Sequence, residues 1–230
     1  AATSAPAPAP TPAPAPTVAF KKRTVADCKP KTVDFNGDAV LEGEVRRKLS
    51  KLEGPITPAD LATIKSINLS ASKEMHQIDP CIFPMFTSMK DLFLGPGDYD
   101  DLSPLTKIAT LESLRASMSQ VKDLHPIEGL KHLDRLDISH TQVTDETLKT
   151  VASLVNVTEL MLDEDNVTDL TPVSSMKKLE RLSIKKTGIK SLAPIAQLKT
   201  LKFLYIADTP ITDITPVQSL VSNGLKLVQN

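Results

Sequence analysis

Five stretches of the chain repeat one spacing of apolar residues. They begin at residues 111, 133, 157, 179 and 201, and each has an aliphatic residue at its first, fourth, sixth and eleventh positions. Successive starts are 22 residues apart, except for one step of 24. A period of this length is typical of a solenoid, in which each unit buries its apolar face against the next. The pattern therefore predicts a stacked array with a long exposed face.

The array extends beyond these five repeats. Two imperfect repeats begin at Ile64 and Met89, which gives about seven repeats, and the LKL triplet Leu225–Leu227 predicts one last partial strand. We divide the chain into an Ala/Pro-rich disordered linker (1–18), an N-terminal cap (19–63), the repeats (64–224) and a C-terminal end (225–230).

Each repeat predicts one short strand and one tight helical turn. The first, fourth and sixth residues point inward, and strands of adjacent repeats pair in parallel. Aspartates at position thirteen are expected to cap the turn, and prolines at position sixteen to lie in its first residues. The repeat from Leu133 has two extra residues and Leu148 in place of proline. It predicts a longer helix with four inward residues: Leu148, Val151, Ala152 and Val155.

The segment before the repeats predicts two helices that cover the first strand. Asp38 is a good N-cap for the first helix. Thr57 and Pro58 begin a short second helix. The inward face of the first helix comprises Val40, Leu41, Val45 and Leu49. Terminal repeats of a solenoid need such a cover because an open end exposes core.

The repeat pattern LxxLxLxxTxIxDLxPLxxLxxL resembles the bacterial leucine-rich repeats of the internalin-like class. Residues 33–70 look like the helical cap of such proteins, and the resemblance covers roughly residues 33–220. It implies an α/β solenoid with a parallel sheet on the concave face and short 3-10 or α turns on the convex face. It also implies that the concave face binds a protein partner.

Composition excludes several kinds of partner. The net charge is −1, and the chain has no Trp and only two Tyr, which disfavours binding to nucleic acid. No apolar run approaches the roughly 20 residues of a membrane helix. Residues 1–17 are almost wholly Ala, Pro, Thr and Ser, and the sequence begins at Ala1 without Met. We interpret them as the processed N-terminus of an exported protein, after signal-peptide removal, and as a tether or a simple disordered tail.

That interpretation places the protein in the periplasm, tethered to the outer membrane, or secreted. The two cysteines, Cys28 and Cys81, then predict one disulfide that pins the N-terminal segment to the first repeats. Two unrelated thiols are the alternative.

Outward residues of the strands are the candidate partner-binding residues. Phe203 and Tyr205 are two neighbouring outward aromatic residues, and Arg181 and Met161 extend this patch. A C-terminal segment folding back over it is the alternative. The second patch comprises Phe93, Arg115 and Met118. A charge ladder is predicted along Arg135, Glu159 and Arg181, with a further pair of Arg115 and Asp137.

We recognise no catalytic, cofactor-binding or metal-binding site in the sequence. Asp34–Asp38 opens like a calcium loop, but Ala39 and Val45 stand where that loop needs Gly and Glu. The four histidines occupy different repeat positions, and His140 is expected near Asp163 or Asp137 without a nucleophile. The sequence predicts a monomeric, non-enzymatic protein-binding module. A structural spacer of the cell envelope is the alternative.

Overall fold

A parallel β-sheet forms one face of the molecule. The computed structural model describes residues 21–29 and 31–229, so the linker predicted at residues 1–18 lies outside the described residues. Eight three-residue strands pair in chain order. They are β1 (Ser66–Asn68), β2 (Asp91–Phe93), β3 (Ser113–Arg115), β4 (Arg135–Asp137), β5 (Glu159–Met161), β6 (Arg181–Ser183), β7 (Phe203–Tyr205) and β8 (Lys226–Val228).

The solenoid predicted from the apolar spacing is confirmed. The central Leu or Ile of each strand from β1 to β7 is at least 99% buried. β8 pairs with β7 through Leu204 and Leu227, so the partial last strand is present and the sheet has eight strands rather than seven. Short helical turns line the opposite face, as 3-10 helices at Phe83–Met85, Ser103–Leu105, His125–Ile127, Lys149–Ser153, Thr171–Ser175, Ala193–Ile195 and Thr215–Val217.

The turn after each strand uses a left-handed residue and a short polar one. Position eight has positive φ in five successive repeats: Met118, His140, Glu164, Lys186 and Asp208. At position nine the hydroxyls of Ser119, Thr187 and Thr209 donate to the carbonyl three residues earlier, at 2.7–2.8 Å. These bonds satisfy carbonyls that the strand no longer uses.

The aspartates at position thirteen act slightly earlier than the predicted helix cap. Asp123 Oδ1 accepts from His125 N at 3.0 Å, and the helix His125–Ile127 begins only there, with Leu124 between. Asp169 and Asp213 make the same bond to the residue two positions on. The carboxylate therefore closes a turn before the helix instead of capping its first residue.

The longer repeat from Leu133 contains a shorter α-helix than predicted. α3 spans only Asp145–Leu148 and continues as the 3-10 helix Lys149–Ser153. Val155 is 49% exposed, so its predicted inward position is wrong, and Leu154 is buried instead. A 3-10 helix has three residues per turn, which places Leu148, Val151 and Leu154 on one face. α4 (Gln218–Ser222) forms the last turn before β8.

The N-terminal cap has the two predicted helices, α1 (Ala39–Leu49) and α2 (Pro58–Thr63). Asp38 accepts from Leu41 N at 2.8 Å, and Thr57 caps α2. Leu41 and Val45 join the core below β1, but Val40 is 45% exposed because it lies one residue off this stripe.

The N-terminal segment, which includes a 3-10 turn at Val25–Asp27, is clamped to the connection between β1 and β2. Cys28 and Cys81 form a disulfide across 53 residues of sequence. Arg23 Nη1 binds Asp79 Oδ2 at 3.0 Å, and Gln77 bonds the Arg23 backbone at both N and O. Within the described ranges, no helix is long and apolar enough to cross a membrane.

Candidate functional site

The concave face consists of two columns of outward side chains. The strands pair in register, so equivalent positions stand side by side, about 4.8 Å apart. The first column reads Asp91, Ser113, Arg135, Glu159, Arg181 and Phe203 from β2 to β7. The second column reads Phe93, Arg115, Asp137, Met161, Ser183 and Tyr205. All six predicted partner-binding residues therefore share one face.

The predicted aromatic patch is largely engaged by its own neighbours. The Arg181 guanidinium lies over the Phe203 ring, 4.6 Å from the centroid, and Lys226 Nζ lies 5.3 Å from the same centroid. Arg181 Nη1 donates to the Tyr205 hydroxyl at 2.9 Å. Lys226 belongs to β8, so the C-terminal segment does contact this patch, as the alternative held, although it pairs beside β7 and does not fold back over the face. These contacts fix the aromatic residues in place and cover part of the Phe203 ring.

The predicted charge ladder is only partly formed. Arg181 Nε lies 3.5 Å from Glu159 Oε1. Arg135, however, lies 3.8 Å from Asp91 Oδ1 and 3.8 Å from Asp134 Oδ1, and its pairing with Glu159 was predicted wrongly. The small Ser113 leaves Arg135 free to reach across β3 toward β2.

The second predicted patch is built around an ion pair. Arg115 Nε lies 3.1 Å from Asp137 Oδ2, as the sequence predicted, and 3.2 Å from Ser117 Oγ. Phe93 is half-buried beside Arg115 on the neighbouring strand. Met118 lies on the turn after β3 and is 56% exposed. The strand side chains therefore form the patch, and Met118 extends it toward the edge of the sheet.

A depression of about 250 Å³ lies between the two patches. Phe93 and Met161 form two of its walls, and Leu114 and Leu136 lie below. Ser113, Arg115, Arg135, Asp137 and Glu159 complete the lining. Sequence reasoning missed this feature, although one signal was available: Ser113 is the small residue between Asp91 and Arg135 in the first column.

A pair of aspartates follows the strand β5 at the edge of the same face. Asp163 accepts from Ser183 Oγ at 2.6 Å and pairs with Lys185 Nζ at 3.0 Å. Asp165 is 3% exposed and accepts from the backbone N and the hydroxyl of Thr141. The pKa of Asp165 is raised to about 7, chiefly by burial; the Thr141 hydrogen bonds oppose this rise, and the carboxylates of Asp137 and Asp163 add to it.

The histidines are dispersed. His140 Nδ1 lies 3.1 Å from Glu164 Oε2, so its predicted approach to Asp163 or Asp137 is wrong. The positive φ at position eight directs this side chain toward Glu164, which occupies position eight of the next repeat. His125 pairs with Asp123, and His76 with Asp98. Across residues 21–29 and 31–229, no group of three or more His, Cys, Asp or Glu side chains could hold a metal ion.

The fold has close structural counterparts among solved proteins. Internalin C2 of Listeria monocytogenes superposes with a TM-score of 0.70 at 22% identity, over 89% of this chain and 100% of the other. Another internalin from that organism gives 0.67 at 22% identity, over 84% and 62% of the two chains. A leucine-rich-repeat protein of Leptospira interrogans gives 0.58 at 20% identity, over 73% and 49%.

Sequence comparison adds no family assignment of its own. No protein-family profile matches the chain, and no curated protein matches it in sequence. The structural likeness, the eight parallel strands and the helical cap agree with the repeat pattern. The fold of this chain is therefore a leucine-rich-repeat solenoid similar to that of the internalins.

Proposed function

We propose that this chain is a non-enzymatic protein-binding module of an exported bacterial protein, and that its partner binds the concave face. The observation that carries the proposal is the in-register face itself, where Phe93 and Met161 remain half-buried around an open depression. Aromatic, Met and Arg side chains are enriched at protein interfaces. The contact residues proposed are Phe93, Arg115, Met161, Arg181, Phe203 and Tyr205.

Export is supported by the disulfide between Cys28 and Cys81. Disulfides persist in oxidising compartments such as the periplasm and the extracellular medium. A monomer tethered through its N-terminal linker, in the periplasm, at the outer membrane or outside the cell, would present the whole concave face to a partner.

The paired charges of the face favour one alternative, a structural spacer without a tight ligand. Arg115 with Asp137, and Arg181 with Glu159, neutralise each other within the chain. Exposed pairs of this kind contribute only about 0–1 kcal/mol, so charges that neutralise each other in solvent need no partner to explain them. The two functions differ in whether the chain retains a specific partner at all.

Partner capture separates them. The full chain is immobilised through its N-terminus and exposed to envelope extracts or foreign cells, alongside a Phe93→Ser/Met161→Ser variant. We expect this variant to retain the specific partner at least about tenfold less well, because the apolar walls carry much of the contact energy. The measurement is the amount of each protein retained, with thermal midpoints to confirm folding.

The matched control is Gln197→Ser/Gln218→Ser, which changes two exposed residues on the convex turns. This control should retain the partner as the wild type does. Equal retention by the concave variant would refute the concave site, whereas retention of nothing by the wild type would favour the spacer.

A further inference from the structure

The three arginines of the concave face differ in how well they are satisfied. Arg115 donates a hydrogen bond to Ser117 and pairs with Asp137, and Arg181 donates one to Tyr205 and pairs with Glu159. In the described part of the chain, the Arg135 guanidinium makes no hydrogen bond. Its ion-pair contacts are the two at 3.8 Å, to Asp91 and Asp134. A guanidinium presents five N–H donors in a planar fork, so Arg135 retains most of its capacity to donate hydrogen bonds to a partner.

The position of Arg135 follows from its small neighbour. Asp91, Ser113 and Arg135 are consecutive in the first column, and the Ser113 residue is 4% exposed. The Arg135 side chain is 51% exposed and extends across this gap toward Asp91. It therefore forms a charged wall of the depression, next to the apolar walls of Phe93 and Met161.

The two carboxylates that line the depression are paired with other arginines, and two more carboxylates lie near Arg135. Asp137 is held by Arg115 at 3.1 Å, and Glu159 by Arg181 at 3.5 Å. Asp91 and Asp134 contact Arg135 only at 3.8 Å, which is longer than a hydrogen-bonded pair. A carboxylate of a partner protein could therefore displace one of these long contacts and form a bidentate pair with Arg135.

The size of the depression indicates a single side chain. Its volume of about 250 Å³ is below that of typical small-molecule pockets, which hold roughly 300–1,000 Å³. It is open toward the concave side and has apolar residues below and on two sides. An apolar side chain of a partner protein matches this shape, and Arg135 lies at its rim.

Resting on the proposed function, we infer that the partner presents an apolar side chain next to a carboxylate. The apolar group enters between Phe93 and Met161, and the carboxylate binds the Arg135 fork in place of Asp91. Arg135 is then the residue that sets specificity for an acidic partner segment.

Capped dipeptides test this chemistry directly. N-acetyl-Leu-Glu-amide is titrated into the isotope-labelled full chain, and amide shifts are followed in β2–β5. N-acetyl-Leu-Gln-amide and N-acetyl-Gly-Glu-amide serve as matched probes. We expect saturable shifts with Leu-Glu, and roughly fivefold weaker binding when either the charge or the apolar group is removed. No saturable shift, or equal binding of Leu-Glu and Leu-Gln, would overturn the inference.

Two substitutions should act in opposite directions. Arg135→Gln should abolish the preference for Glu over Gln, whereas Asp91→Asn should bind Leu-Glu more tightly because the competing carboxylate is gone. Arg47→Gln, an exposed arginine of α1, should change neither value. If Arg135→Gln still prefers the Leu-Glu dipeptide to Leu-Gln, the role assigned to Arg135 is refuted. If the dipeptides fail while Phe93→Ser/Met161→Ser still loses a captured partner, only this inference fails and the concave binding face remains.

Discussion

Replacing both Cys28 and Cys81 by serine is expected to lower the free energy of unfolding by about 4 kcal/mol. The disulfide closes a loop of 53 residues, and its loss increases the conformational entropy of the unfolded chain. The loop contains α1, α2 and β1, so the N-terminal end of the array should loosen first. In a solenoid, each unit is stabilised mainly by its neighbours, and a loosened cap exposes the first strand.

Urea unfolding of the oxidised wild type, the reduced wild type and the double serine variant measures this effect. The reduced wild type and the variant should unfold at the same lower urea concentration, and reductant should leave the variant unchanged. If the double serine variant instead has the same unfolding midpoint as the oxidised wild type, the contacts of Arg23 with Asp79 and Gln77 hold the segment without the disulfide.

The second large effect concerns Asp165. Between pH 5 and pH 8, the wild type should lose about 3 kcal/mol more stability than the Asp165→Asn variant. The folded pKa is raised to about 7 from an ordinary value of 3.8, so the folded state keeps a proton that the unfolded state releases. The stability linked to this proton is full below about pH 4 and is lost as pH rises through the folded pKa.

The environment of Asp165 explains the shift. The residue is 3% exposed at position nine, where the other regular repeats have Ser or Thr. Thr141 donates to Oδ1 twice, at 2.7 and 2.9 Å, but Oδ2 has no hydrogen-bond partner among the described residues. Burial thus outweighs the hydrogen bonds, and Asp137 and Asp163 add repulsion.

Denaturant unfolding of both proteins at pH 5 and pH 8 provides the measurement. Asp213→Asn is the control, because hydrogen bonds from the Thr215 hydroxyl and backbone N lower the pKa of exposed Asp213. That carboxyl is ionised in the folded and unfolded chain between pH 5 and pH 8, so this variant should follow the wild type over the whole range. If the free energies of unfolding of wild type and Asp165→Asn change in parallel with pH, ionising Asp165 in the folded chain costs no stability, and this prediction is wrong.

The inward positions were predictable because burial imposes a strict period on the sequence. Leu136 and Leu160 occupy the same place in successive repeats, and any other register would expose them. The caps at Asp38 and Thr57 were predictable for a similar reason, since a short polar side chain must satisfy free backbone N–H groups there. Local rules of this kind fix the solenoid.

The outward positions were less predictable because their contacts depend on neighbours in other strands. Arg135 turns to Asp91 rather than Glu159 because Ser113 leaves space, and Phe203 is covered by Lys226 from a strand outside the period. The His140 side chain lies beside Glu164 because the positive φ of His140 turns it in that direction. The sequence correctly placed the six outward residues on one face, whereas the depression between the two patches emerged only from the packed side chains.

Site-specific crosslinking tests the central proposal, concave binding of a protein partner, most directly. A photoreactive phenylalanine analogue replaces either Met161 on the concave face or Gln197 on the convex side, and the captured partner is irradiated in place. We predict a covalent adduct with the partner from position 161 and none from position 197. Adducts from position 197 alone would contradict the account.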